Sequence, residues 1–329
     1  MKALIYTGPK ILTFGDADNP QPGDNEYLIK IDSVGICGSD MHAYLGHDDR
    51  RPAPLILGHE VAGSIVGGDD EGQRVTVNPL VTCGNCQACT SGRDNLCPDR
   101  QIISMPPREG GFAQFVTIPK SNVVHVPNSF SLEKASLAEP IACGWHAARL
   151  AQSALNRDLS TIRAVVIGGG AIGVGAALSL SCFGVRDISI LEPNKKRRQF
   201  ISSKTGLPVI NPDDWNNSNF ADLVIDAVGF EQTRKSACKI VLPGGVIAHI
   251  GLGSADGGLD IRRMTLQEIT FFGTYTYTSE DFRATAEAMF QNKLGSLDWY
   301  ETRPLSQGAA AFADILQGSV QASKIILKP

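Results

Sequence analysis

Ala164-Val165-Val166-Ile167-Gly168-Gly169-Gly170-Ala171-Ile172-Gly173 is the stretch from which the rest of the chain can be read. Four apolar residues in a row suit a strand buried on both faces, the habit of parallel sheets covered by helices. Three glycines break the run. The Ala- and Leu-rich segment that follows predicts a helix over Ala171–Phe183, with Gly184 as its C-cap. A second strand is expected at Ile188–Leu191 and a charged helix around Lys195–Ser203. Further strands are expected at Leu223–Ala227, Val246–Ile250 and Ile269–Phe272. Strand, helix, strand in repetition defines an α/β, doubly wound parallel sheet. Its span is 139–273, within which segment 211–220 is too short for a full helix.

Outward from this core the grammar changes. Tyr27–Ile31, Val61–Val66, Arg74–Val77, Phe112–Ile118 and Val123–Val126 are short extended runs separated by turn residues, so residues 1–138 read as all-β. Beyond Thr274 come one clear helix, Ser279–Gln291, and a strand-like end, Lys324–Leu327. At 329 residues the chain exceeds one compact core, and two domains are expected. A net charge of −4 gives no reason to seek a nucleic acid or an anionic membrane as partner. No run approaches the ~18 apolar residues of a membrane helix, and Met1–Tyr6 stops at Gly8-Pro9 without a leader's apolar region. The expectation is a cytoplasmic protein.

Gly168-Gly169-Gly170-Ala171-Ile172-Gly173 fits G-x-G-x-x-G between a strand and a helix. Gly168 would make the tight turn, Gly170 would admit a pyrophosphate, and Gly173 would let helix and strand pack closely. Gly168, Gly170, Ala171, Ile172 and Gly173 are therefore candidate dinucleotide contacts. Glu192 ends the next strand, where a carboxylate can accept from both adenosine ribose hydroxyls. Lys195, Lys196, Arg197 and Arg198 follow, with Arg197 a further cofactor candidate. Cations there can meet a 2′-phosphate, but Glu192 would repel it, so NAD is expected over NADP.

Four of the eight cysteines lie together. Cys83-x2-Cys86-x2-Cys89-x7-Cys97 supplies enough thiolates on one loop to close a tetrahedral zinc site with no position for water, a structural role. A second, dispersed set is Cys37, His59, Glu60 and Glu139: thiolate, imidazole and carboxylate, the mixture used by zinc that keeps a position free for substrate. Taken singly, Cys37 suits a core thiol and His59 a satisfied core histidine.

Their surroundings decide otherwise. Val34-Gly35-Ile36-Cys37-Gly38-Ser39-Asp40-Met41-His42, Leu57-Gly58-His59-Glu60-Val61-Ala62-Gly63, the four-cysteine loop and the Gly-rich turn follow one another in family order. Over nearly its whole length the sequence resembles the zinc-containing medium-chain alcohol dehydrogenases. The resemblance implies a GroES-like catalytic domain over 1–138, completed by 274–329. It implies a Rossmann domain over 139–273, with the active site in the cleft between them. It makes Cys37 and His59 ligands of catalytic zinc, and Glu60 a ligand or a neighbouring carboxylate that can swap with water. Asp40 would bond the unligated nitrogen of His59, Ser39 would take the substrate proton, and His42 could pass it to solvent. Two zinc ions per chain are expected, with a homodimer or homotetramer as the assembly.

Where many relatives carry cysteine, this chain has Ala138-Glu139-Pro140, as in the polyol (sorbitol-type) branch. A harder carboxylate ligand, direct or through water, favours a hydroxylated, chelating substrate. The implied reaction takes a hydride from a secondary hydroxyl of a polyol or sugar-derived acid. The alternatives are a threonine-type amino-alcohol dehydrogenase, a general alcohol dehydrogenase, or a non-enzymatic zinc protein. Tyr44, His47, Trp145, Tyr275 and Tyr277 are candidates for the pocket wall, with core packing an equal reading for each aromatic. Two departures stand out: segment 66–74 is short, and Gln73 stands where an aspartate usually precedes arginine.

Overall fold

The computed structural model describes residues 1–216 and 220–329. Its parallel sheet is made of β11 (Arg163–Ile167), β12 (Asp187–Leu191), β13 (Val209–Ile210), β14 (Ala221–Asp226), β15 (Val241–His249) and β16 (Thr270–Gly273). The order is β13-β12-β11-β14-β15-β16, with the reversal point between β11 and β14. Ligands of such sheets gather beyond the strand ends at that point. Helices α5 (Ala171–Cys182), α6 (Lys195–Thr205), α7 (Glu231–Ile240) and α8 (Ile261–Leu266) connect the strands. Of the segment expected to lack a full helix, Pro212–Asp214 form one 3₁₀ turn and residues 217–219 lie outside the described residues.

The β half has a larger sheet of β3 (Glu26–Gly35), β5 (Glu60–Val66), β6 (Arg74–Val77), β9 (Phe115–Pro119), β10 (Val123–His125), β17 (Tyr300–Pro304) and β18 (Lys324–Lys328). Its order is β10-β6-β5-β3-β18-β17, and β9 also pairs with β3. The chain's last strand therefore lies next to the strand that leads into Cys37: Ile326 faces Gly35. A smaller sheet joins β1 (Lys2–Gly8), β2 (Ile11–Asp16) and β4 (Leu55–Ile56). The strand expected from Phe112 begins at Phe115. Phe112 is instead buried edge-on against Phe312 of α10 (Gly308–Leu316), a helix the sequence pattern did not signal.

The largest element not foreseen is α4 (Ala138–Leu155). Its residues 138–144 are all buried, as are His146, Ala147, Ala148 and Ala151, so no apolar stripe sets one face apart. It packs against α5 through small residues: a Cβ on Gly144 would strike the backbone of Ala176. It also packs against α9 (Ser279–Phe290). Two aromatic candidates for the pocket wall belong to the core. Tyr44 packs at a tilt against Phe312 with centroids 5.2 Å apart, and Trp145 meets Phe183 edge-on at 4.5 Å. Among the described residues no helix is long and apolar enough to cross a membrane.

Candidate active site and metal centres

Cys37 caps the N-terminus of α1 (Gly38–Tyr44), so the ligand candidate sits where strand β3 turns into a helix. Asp40, fully buried in the first turn, uses both oxygens to fix the neighbourhood. Oδ2 accepts from Cys37 N–H at 2.9 Å, and Oδ1 accepts from Gly58 N–H at 3.2 Å. Oδ1 also lies 3.4 Å from His59 Nδ1, leaving Nε2 free as a metal donor. One carboxylate thus registers the backbone beside both ligands. Ser104 Oγ stands 3.5 Å from the same Nδ1, and the buried Arg51 donates to the carbonyls of Ser104 and Ser39. Ser39 and His42 occupy α1 at partly buried positions, and their side chains have no partner among the described residues.

Glu60 opens β5 opposite Gly35, where a Cβ would collide with its carboxylate; only glycine leaves room. Glu60 Oε1 accepts from Lys324 Nζ at 2.5 Å, and that ammonium also donates to Ile36 O at 2.8 Å. Lys324 opens β18, where the sequence pattern signalled only a strand. The overlooked signal was a lone lysine heading an apolar run. Among the described residues Glu60 Oε2 is buried without a hydrogen-bond partner, a costly state that a cation would relieve. Donor atoms of Cys37, His59 and Glu60 lie within 4.8 Å of one another. Glu139 is not one of that three-residue group. Its Oε1 accepts from the buried Tyr277 hydroxyl at 2.9 Å.

Electrostatics point the same way. Burial disfavours a charged His59, but the Asp40 carboxylate and Cys37 outweigh it and hold the imidazole well above its ordinary range. Burial pushes Glu139 up to about 7, with His59 opposing the rise and the Glu60 charge adding to it. A thiol, an imidazole and a carboxylate converge there, with one Glu60 oxygen left unbonded, so the residues present fit a divalent metal.

At the second candidate centre, Sγ distances are 3.5 Å for Cys83–Cys97, 3.5 Å for Cys86–Cys89 and 3.9 Å for Cys83–Cys89. Four sulfurs ~2.3 Å from a common tetrahedral centre would lie ~3.8 Å apart. The fit is close, and none of the four forms a disulfide.

The Gly-rich turn adopts the geometry its spacing predicts. Gly168 has φ +104, where a side chain would be strained, and a Cβ on Gly173 would strike Gly168 O. A Cβ on Gly170 would meet nothing; that side of the turn is open. A cleft of 250 Å³ brings Gly170, Ala171, Ile172 and Arg197 together with Cys37 and Lys324. A larger hollow of 570 Å³ beside Met1, Glu26 and Arg108 shares none of them. Glu192 is buried, and Arg197 reaches Val320 O at 3.1 Å across the cleft. Of the remaining wall candidates, His47 is exposed and Tyr275 lies under the Arg100 guanidinium, 4.9 Å from its ring centre.

Comparison with known proteins agrees with this architecture. Residues 23–128 match the alcohol dehydrogenase GroES-like domain, and residues 171–291 match the zinc-binding dehydrogenase domain. L-Galactonate-5-dehydrogenase of Escherichia coli is 33% identical over 89% of this chain and 88% of that protein. Sorbitol dehydrogenase of Bacillus subtilis is 33% identical over 85% and 83%. Among solved structures, galactitol-1-phosphate dehydrogenase from Escherichia coli superposes with a TM-score of 0.88 at 25% identity, covering 100% of both chains. These relationships, in line with the candidate metal cluster and the open glycine turn, show that the chain belongs to the zinc-containing medium-chain alcohol dehydrogenase family, beside its polyol and sugar-acid dehydrogenases.

Proposed function

We propose that the protein transfers a hydride from a secondary hydroxyl of a polyol or sugar-derived acid to NAD. The observation that carries this reading is the single cleft in which Cys37 meets the Gly170–Ile172 turn, so that substrate and dinucleotide share one space. When bound, zinc supplies a Lewis acid for the substrate oxygen and the nicotinamide supplies the hydride acceptor. Cys37, His59 and Glu60 would hold the metal, with Lys324 bonded to Glu60 Oε1. Ser39 takes the hydroxyl proton and His42 passes it outward; both have polar atoms uncommitted to the fold. Glu139 keeps acceptor capacity for a substrate hydroxyl or a water, which suits a polyhydroxy compound better than an apolar alcohol. The named activities of the relatives, on galactonate, sorbitol and galactitol phosphate, support the same class.

Cys83, Cys86, Cys89 and Cys97 hold a second, structural zinc. Glu192 selects NAD. A homodimer or homotetramer in the cytoplasm completes the reading. The test is turnover with NAD and NADP across polyols, aldonates, threonine, ethanol and 2-propanol. The highest kcat/KM is expected for a four- to six-carbon polyol or aldonate with NAD. Better turnover of threonine or a simple alcohol than of every polyhydroxy compound would remove the substrate assignment.

A further inference from the structure

We propose that the four-cysteine lobe has a second task beyond closing its own metal site: through Asp94 and Asn95 it positions Glu139 at the catalytic cluster. This rests on the reading of Glu139 as a working carboxylate of that cluster. Asp94 and Asn95 lie between Cys89 and Cys97, in a short 3₁₀ turn that ends at the last cysteine. The Asp94 carboxylate accepts from Ser279 N–H at 3.1 and 3.2 Å, and from the Ser279 hydroxyl. The buried Asn95 amide donates to Tyr275 O at 2.8 Å. Arg100, just past Cys97, donates to Cys97 O at 2.8 Å and lays its guanidinium over the Tyr275 ring. The lobe therefore grips segment 275–279 at both ends.

Between those grips stand two residues whose state needs a cause. Thr276 has φ +46, a left-handed backbone unfavourable for a β-branched residue, and its buried hydroxyl has no partner among the described residues. Such a conformation persists only where its surroundings impose it. Next to it Tyr277, 1% exposed, aims its hydroxyl at Glu139. From Thr278 onward a second route adds to the Asp94 contact. Thr278 and Asp281 cap α9, and Asp281 bonds His146 and Arg149 on α4. Upstream of Tyr277, the carbonyl of Tyr275 is held by Asn95. Tyr277 is thus suspended between a helix pair and the cysteine lobe, and releasing the lobe frees Thr276 to relax and swing the hydroxyl away.

Asn95 and Asp94 act through Tyr277, so they are positioning residues. The test uses the full-length enzyme with cobalt exchanged into the catalytic centre, whose visible bands report ligand geometry. Asn95→Ala is expected to shift those bands and to lower kcat/KM roughly tenfold. Asn95→Ala combined with Tyr277→Phe should be no worse than Tyr277→Phe alone, because both break one path. Ser91→Ala, whose hydroxyl bonds only within the lobe, should change neither readout. Should Asn95→Ala not fold, two gentler variants take its place: Asn95→Asp, which turns an acceptor toward Tyr275 O at equal volume, and Asp94→Asn. Both are expected to shift the bands in the same way. Unchanged bands in the Asn95 and Asp94 variants, or additive losses in the double variant, overturn the proposal. Unchanged bands in Glu139→Gln would instead overturn the role of Glu139 itself.

Discussion

At Glu192 both carboxylate oxygens are bonded to backbone: Oε2 accepts from Gly169 N–H at 3.0 Å and Oε1 from Asn194 N–H at 2.8 Å. The acid is thus a brace for the Gly-rich turn as well as a negative charge beside the expected adenosine site. Glu192→Ala should weaken both cofactors by loosening the turn, but it should narrow the NAD-to-NADP ratio of kcat/KM by about tenfold, since repulsion acts on the 2′-phosphate alone. A ratio that stays put would make Glu192 a brace only. Residues of this kind were legible because short-range chemistry dictates them: a turn needs Gly168, and a thiolate cluster needs its spacing. Lys324 beside Glu60, and the bond from Tyr277 to Glu139, were not. Each meets its partner from a distant stretch, Lys324 from 264 residues beyond Glu60 and Tyr277 from 138 beyond Glu139. No periodicity encodes such a meeting.

Helix α4 shows the same limit one level up. Strands β11, β12 and β14 announced themselves as apolar runs, whereas α4 is buried on nearly every side and carries glycine and proline within its span. Its register still matters, because Glu139 and His146, two turns apart, meet Tyr277 and Asp281 respectively. Burial works against a charged Asp281, yet bonds from His146, Arg149 and Thr278 overcome it and hold the carboxyl well below its ordinary 3.8. A depressed carboxyl stabilises the fold fully above that ordinary value, and the contribution fades as pH falls toward the folded value. Asp281→Asn should therefore cost about 3 kcal/mol at neutral pH and progressively less below about pH 4. Urea unfolding at several pH values checks this; a gap that widened in acid would reverse the assignment.

Across the whole molecule, residues 318–324 tie the two halves together. Asn194 donates to Gly318 O, Arg197 to Val320 O, and Ser323 Oγ to Gly169 O at 2.9 Å. The two candidate metal centres are proposed to have different duties on this frame. Cys37→Ser should abolish turnover while leaving Tm within about 2 °C, and Cys89→Ser should lower Tm by about 5–10 °C, because a closed site contributes folding free energy. Equal Tm losses in calorimetry would erase the distinction. The pairing of β18 with β3 also has a consequence in time. A ribosome delivers residues in order, so β3, Glu60 and the whole parallel sheet emerge before Lys324 exists. Until then the Val34–Gly35 end of β3 lacks the partner it pairs with in the finished sheet, and Glu60 has no ammonium beside it. Synthesis thus holds back the last charge of the candidate site until the parallel-sheet half has been made.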